Sequence, residues 1–277
     1  MGVPTSMPLR RAMHGFDTLA DDYDTAFTGS VLGRALRELV WVRMDRLFKP
    51  GERILELGCG TGEDAVHLAR RGVHVTALDA SARMIEHARD KAHEAGCAAR
   101  IDFHCLPMET AGAAFRATRF DGVLSNFGAI NCVEDPAALA RSIAGRIVRR
   151  GPLLWVAMGP YVPWEWAWYL SRCDIRRAFR RLHRQGTPWR GMTVRYPTPR
   201  GLQAALKPYF SIRHVQPLGC FLPPSYAAGW LGRFRRMRAV LLRLEQLGQS
   251  FPALAACADH YLIEARRACR DGDGSQT

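Results

Sequence analysis

Lysine is nearly absent from this chain: only Lys49, Lys91 and Lys207 occur, and every other one of its 39 basic residues is arginine. The formal net charge of +13 therefore rests on guanidinium groups, and so lopsided a ratio reads first as codon bias, not as a nucleic-acid surface. Paired cysteines are missing too. The eight cysteines stand singly with no CxxC spacing, which indicates neither a metal site nor a disulfide framework and suits reduced thiols in a cytosol. No apolar run approaches the roughly 18 to 20 residues of a membrane span, and the opening MGVPTSMPLRRAMHGFD lacks a signal peptide's apolar stretch. A cytoplasmic protein is expected. Internal repeats are absent, and only the polar tail RDGDGSQT has the composition of a disordered segment.

What is present is an alternation. Short apolar runs at 53–57, 74–79, 100–104, 120–126 and 152–159 are separated by amphipathic patterns at 61–71, 81–96 and 135–151. Buried parallel strands joined by crossover helices read this way, so a doubly wound α/β fold is expected. Ser81 and Asp135 stand where N-caps belong, and Gly96 and Gly151 where helices stop. After Gly159 the chain turns rich in Trp, Arg and Pro. The expected organisation is an N-terminal helical lid over 1–50, a core over 51–160, a cap insertion over 161–197, a core continuation over 198–217, a second insertion with a basic helix over 218–257, a last core strand over 258–270, and a tail over 271–277.

Between the first strand and first helix lies ILELGCGTGED, with Gly58, Gly60 and Gly62 packed into one turn. Such a turn lets backbone N–H groups and a helix N-terminus approach a ligand. The dinucleotide fingerprint needs a small residue at its last position; counted from Gly58 that position is Glu63, which disfavours a nicotinamide or flavin dinucleotide. Glu56, two residues before the first glycine, sits badly beside a pyrophosphate and well beside an ammonium group.

Glu56-Leu57-Gly58-Cys59-Gly60-Thr61-Gly62, followed by VTALDAS ending on Asp79, resembles the first two motifs of the class I S-adenosylmethionine-dependent methyltransferases. The resemblance implies a Rossmann-like, seven-stranded, mostly parallel sheet with an antiparallel last strand and a helical cap. It implies that Glu56 faces the methionine amino group of S-adenosylmethionine, that Gly58, Cys59, Gly60 and Gly62 line the cofactor, and that Asp79 takes the ribose hydroxyls, with Ala80 and Met84 beside it. FDTLADDYD matches a lid segment of relatives similar to quinone- and biotin-synthesis enzymes, which places Tyr23 over the cofactor. SNFGAIN puts Ser125 and Asn126 at the methionine end. Many relatives carry Gly-Asp after strand three, whereas HCLPMET has Pro107 near that aspartate, leaving Met108 and Glu109 as substitutes toward adenine. Replacement of Asp79 by alanine is expected to remove donor binding and to leave the thermal transition of the apo protein largely unchanged.

The acceptor is expected among the non-core segments. Phe127, Asn131, Trp164, Trp168, Arg190, Arg195 and Tyr196 are the candidate substrate contacts, with Glu165 as base or cation partner and Asn126 as a second catalytic candidate. Each has a blander alternative: Phe127, Trp164 and Trp168 as packing, the arginines as surface charge, Asp79 as a helix cap. His14 and His183 are lone histidines, read as structural rather than catalytic. The expected activity is methyl transfer to an O or N nucleophile of a small biosynthetic molecule. An RNA methyltransferase and a non-catalytic binder of the cofactor are the alternatives. Nucleic acid is disfavoured because SNFGAIN is not the Asn-Pro-Pro-aromatic tetrapeptide of base-amine methylases, while an amphipathic stretch over 230–247 leaves a membrane surface or an acidic carrier protein open.

Overall fold

Strands that are apolar on both faces need helices above and below, and the chain supplies them in alternation. The structure is a computed structural model and describes residues 31–223 and 234–268. Helix α1 (Val31–Leu47) leads into β1 (Arg53–Leu57), α2 (Glu63–Arg70), β2 (His74–Asp79), α3 (Ala82–Glu94) and β3 (Ile101–Cys105). Then come α4 (Ala111–Ala114), β4 (Gly122–Ser125), α5 (Pro136–Ala144) and β5 (Pro152–Met158). The segment after β5 holds α6 (Pro163–Leu170), α7 (Ile175–Ala178) and a hairpin of β6 (Thr187–Trp189) with β7 (Met192–Val194). Helix α8 (Pro199–Leu206), β8 (Phe210–Leu218), α9 (Arg235–Gly248) and β9 (His260–Arg267) complete the described chain.

The seven-stranded sheet runs β3-β2-β1-β4-β5-β9-β8. The first five strands are parallel, and β9 lies antiparallel to both β5 and β8. Alternate side chains of each strand face opposite layers. Ile54, Leu124, Leu154 and Leu262 pack with Val40, Met44, Leu68 and Ile85 on the side of α1, α2 and α3. Leu55, Val123, Trp155 and Ile263 pack with Leu139, Ile143, Leu202 and Leu206 on the side of α5 and α8. Val40 and Met44 are fully buried, so α1 belongs to the core layer.

Local signals set most boundaries. The Ser81 hydroxyl accepts from the Met84 N–H at 3.1 Å and starts α3, and the Asp135 carboxylate accepts from Ala137 and Ala138 at 2.9 and 3.0 Å to start α5. The helix expected to run to Gly151 stops at Ala144 with Gly145 as its C-cap. Its remaining apolar positions are diverted, since Ile147 forms a bridge with Phe120 beside the sheet. The helical cap insertion expected over 161–197 contains α6 and α7, and also the short hairpin. Residues 1–30, including the Tyr23 lid position and His14, and the expected tail over 271–277 lie outside the described residues.

Candidate functional site

The strand order reverses between β1 and β4, which opens a crevice at the carboxyl ends of those strands. Glu56 lies on β1 facing the α1–α2 layer, one residue in from the strand end, and is 1% exposed. Its Oε2 has no hydrogen-bond partner among the described residues. Burial first, and the neighbouring Asp64 carboxylate second, raise the Glu56 carboxyl well above the usual range, against a lowering pull from Arg37. A buried carboxylate oxygen with nothing to accept from is a vacancy for a cationic donor.

The turn follows at the end of β1. Gly58 and Cys59 donate their N–H groups to the Leu78 carbonyl, both at 2.8 Å, and Gly62 closes the turn on the Cys59 carbonyl at 3.0 Å. Gly58 has φ 71°, and a Cβ there would stand 2.3 Å from the Ala129 Cβ and 3.1 Å from Met108 Cε. Gly60 has φ 52°, yet a Cβ there would meet nothing within 4 Å. Gly58 is therefore set by packing, and Gly60 leaves open space beside the backbone, the cradle a ligand would fill. Cys59 is buried, and burial followed by the Asp79 charge pushes its thiol well up, so it is inert.

Asp79 ends β2 on the same rim. Its Oδ2 accepts from the Gly60 N–H at 2.9 Å and its Oδ1 from the Ser81 N–H at 2.9 Å. The carboxylate thus holds the glycine turn to the next loop. These two bonds argue against an apo thermal transition indifferent to Asp79. Ala80 lies half-exposed beyond it, and Met84 is buried in α3. Met108 is half-buried, and Glu109 is exposed on a short turn after β3.

The centre of the site is Asp64, which the motif reading passed over. It is 5% exposed at the start of α2. Its Oδ2 accepts from Arg37 at 2.7 Å and from Asn126 Nδ2 at 2.9 Å, while Oδ1 accepts from Trp41 Nε1 at 2.7 Å. Arg37 and Trp41 are four apart on α1 and so share a face, the one signal in the sequence that could have paired them. Arg37 also lies over the Phe127 ring, 4.8 Å from its centroid. Phe127 takes φ 43°, a left-handed conformation disfavoured for a bulky residue. Its N–H is held by Asn126 Oδ1 at 2.9 Å, and its ring meets His260 edge-on at 5.5 Å. The histidine at this rim is therefore His260, 5% exposed, with Nδ1 3.2 Å from Asp259 Oδ2; His183 is exposed on the insertion.

Three expected roles change. Asn126, expected as a catalytic candidate, is held at both ends of its amide, Nδ2 by Asp64 and Oδ1 by the following peptide, which makes it a positioning group at the β4 end. Asn131, expected to touch substrate, is fully buried. Its Oδ1 accepts from the Met158 N–H at 2.8 Å, and its Nδ2 donates to the Met158 carbonyl at 3.1 Å and to the Arg195 carbonyl. Asn131 fastens the end of the insertion to β5. Glu165, expected as a base, is also fully buried, in ion pairs with Arg180 at 2.9 Å and Arg181 at 2.7 Å. Arg181 in turn pairs with Asp259 at 2.7 Å, and the Arg181 and His260 charges hold the Asp259 carboxyl well below the usual range despite its burial.

The remaining positions are placed as follows. The Ser125 hydroxyl donates to the Leu57 carbonyl at 2.9 Å and ties β4 to β1. Trp164 is half-buried on α6, and Trp168 is covered by Arg172, 3.4 Å from its centroid. Arg190 is exposed on the hairpin turn and lies over Trp189. Arg195 reaches Glu134 at 3.8 Å, and Tyr196 lies under Arg181 at 5.2 Å. Glu56, Gly60, Asp79, Asn126 and Phe127 thus converge at the crevice, whereas Glu165, Trp168 and Arg190 are engaged within the insertion.

Comparison with known proteins agrees with this geometry. Residues 54–151 match the family described as Methyltransferase domain. The tRNA 5-carboxymethoxyuridine methyltransferase of Escherichia coli (strain K12) is 28% identical over 144 residues, covering 50% of this chain and 54% of that protein. The demethylmenaquinone methyltransferase of Beutenbergia cavernae is 35% identical over 152 residues, covering 54% of this chain and 58% of that protein. The chain spans about half the length of these curated relatives. Among solved structures, the [4+2]-cyclase SpnF superposes with a TM-score of 0.61 at 16% identity, covering 98% of this chain and 100% of that one, a likeness of fold. With the acidic glycine turn, the reversed strand order and the single antiparallel strand in place, the core at 54–151 is a methyltransferase domain of the class I, S-adenosylmethionine-dependent kind.

Proposed function

We propose that the protein binds S-adenosylmethionine in the β1–β4 crevice and transfers its methyl group to an O or N nucleophile of a small biosynthetic molecule. The observation that carries this reading is the unpartnered, buried Glu56 Oε2 beside the open side of Gly60. Glu56 would hold the amino group, Asp79 the ribose hydroxyls, and the Gly58–Gly62 backbone the body of the cofactor. Bound there, the cofactor would supply a methyl group on a sulfonium, whose neutral thioether departs readily, so the protein has little chemistry to add. Its work is positioning. Alignment of two reactants in a dry pocket is worth about 7 to 11 kcal/mol, more than a general base contributes. The Asp64 hub performs that task on the protein side: it fixes Asn126 at the β4 end, and Arg37 and His260 hold the Phe127 ring between them.

Fold alone does not decide the chemistry, since the full-length structural neighbour carries the name of a cyclase. The small-molecule reading is supported by the quinone-synthesis relative. Methyl transfer to RNA is the second reading, favoured by the net charge of +13 and by the tRNA-modifying relative. Titration calorimetry with S-adenosylhomocysteine, followed by transfer of labelled methyl to panels of phenols, carboxylates, amines and bulk tRNA, tests both. Absence of binding at millimolar S-adenosylhomocysteine overturns the proposal. Transfer to tRNA alone, with affinity falling steeply with salt, replaces the small-molecule acceptor by RNA.

A further inference from the structure

Helix α9 packs Leu241 and Leu242 on the core but carries a second row of apolar residues outward. Val240 is 55% exposed, Leu247 66% and Phe251, just past the helix, 61%, with Met237 and Leu244 completing the row. The spacing of three and four residues puts them on one stripe about 15 Å long from Met237 to Leu247. Arg236 and Arg243 fall on the flank of that stripe, within about 60° at 100° per residue. The inner face is committed elsewhere. Glu245, 1% exposed, accepts from the Gly219 N–H at 2.7 Å and the Phe221 N–H at 2.9 Å, and a Cβ on Gly248 would stand 2.6 Å from the Phe221 ring. The helix is thereby fixed in rotation with its apolar stripe facing out.

A second patch of the same character lies on the insertion. Leu170, Ile175 and Leu182 are exposed among Arg176, Arg177 and Arg184. The insertion follows the carboxyl end of β5, and α9 joins the end of β8 to the start of β9. Because β9 runs antiparallel, both segments leave from the sheet end that holds Glu56 and Asp79.

We propose that α9 seats the protein on an anionic membrane surface, its apolar stripe entering the headgroup layer and its flanking arginines meeting lipid phosphates. Charge complementarity selects this occupant: a second copy would bring like-charged arginines together, and two separated patches suit an extended plane better than one small acidic protein. No described helix is long and apolar enough to cross a membrane, so the association is peripheral. It stands apart from the methyl-transfer reading.

The test is sedimentation of the full chain with vesicles of phosphatidylcholine alone and of equal parts phosphatidylcholine and phosphatidylglycerol. The expected result is binding to the mixed vesicles only, weakening as salt rises. Val240→Asp with Leu247→Asp should remove it, and Arg236→Gln with Arg243→Gln should lower partitioning about fivefold per arginine. Both variants should retain the wild-type thermal transition. Failure of the native chain to sediment with mixed vesicles overturns the proposal, as does undiminished binding by the aspartate variant. So does stripe-dependent dimerisation, or capture of a purified acidic carrier protein, without vesicle binding.

Discussion

Glu56 places stability and ligand binding in opposition, and Glu56→Gln separates them. In the apo protein the carboxylate is buried with one oxygen unpartnered, and its proton is held more tightly in the folded than in the unfolded chain. The folded state therefore binds the extra proton, and stability falls as pH rises from the ordinary value of 4.5 up through the raised folded value. The amide has the same shape and no charge. At pH 8 the glutamine variant should be more stable than wild type by about 1 to 2 kcal/mol in urea, and its stability should lose that downward slope with pH. Donor binding should move the other way. A hydrogen bond to a charged group is worth about 1.5 to 3 kcal/mol, so affinity for S-adenosylhomocysteine should drop about 10- to 150-fold by calorimetry. A glutamine variant with unchanged affinity, or one less stable than wild type at pH 8, would refute the assignment of that oxygen to a cationic ligand.

Three further outcomes follow from the same geometry. Asp64→Ala leaves the buried Arg37 guanidinium without its 2.7 Å partner and should lower stability by about 3 to 5 kcal/mol in urea denaturation. Gly60→Ala should fold with a loss of about 1 kcal/mol and bind S-adenosylhomocysteine at least tenfold more weakly, because its methyl enters the open cradle; Gly58→Ala should lose more stability, since its methyl collides with Ala129. Asp79→Ala should lower the apo melting temperature as well as donor affinity, because two loop N–H groups lose their acceptor; an unshifted transition would remove the tethering role.

The parallel core was legible because strands buried on both faces show as apolar runs, and because Ser81 and Asp135 announce their helices locally. The glycine turn was legible for a related reason: backbone that must take positive φ next to a ligand leaves glycines in a short, ordered pattern. Side chains that meet across the fold leave no such trace. Asp64 finds Arg37 and Trp41 across 27 and 23 residues, and nothing near Asp64 distinguishes it from an ordinary acidic residue in the first turn of a helix. Asn131 stands among the candidate substrate contacts, but its partners at Met158 lie 27 residues away. Glu165 looked like a base because aromatics surround it, whereas its arginine partners come from a later turn of the same insertion. Polar residues beside a site advertise chemistry and scaffolding alike, and only the fold separates them.

The chain of charges from Glu165 through Arg181 to Asp259 has a bearing on how the insertion stays in place. Glu165 sits after β5, Arg181 later in the insertion and Asp259 just before β9, so one run of opposite charges pins the insertion to the antiparallel strand. Removing either carboxylate would leave a buried guanidinium short of a partner, and the insertion would lose its anchorage before the parallel core did.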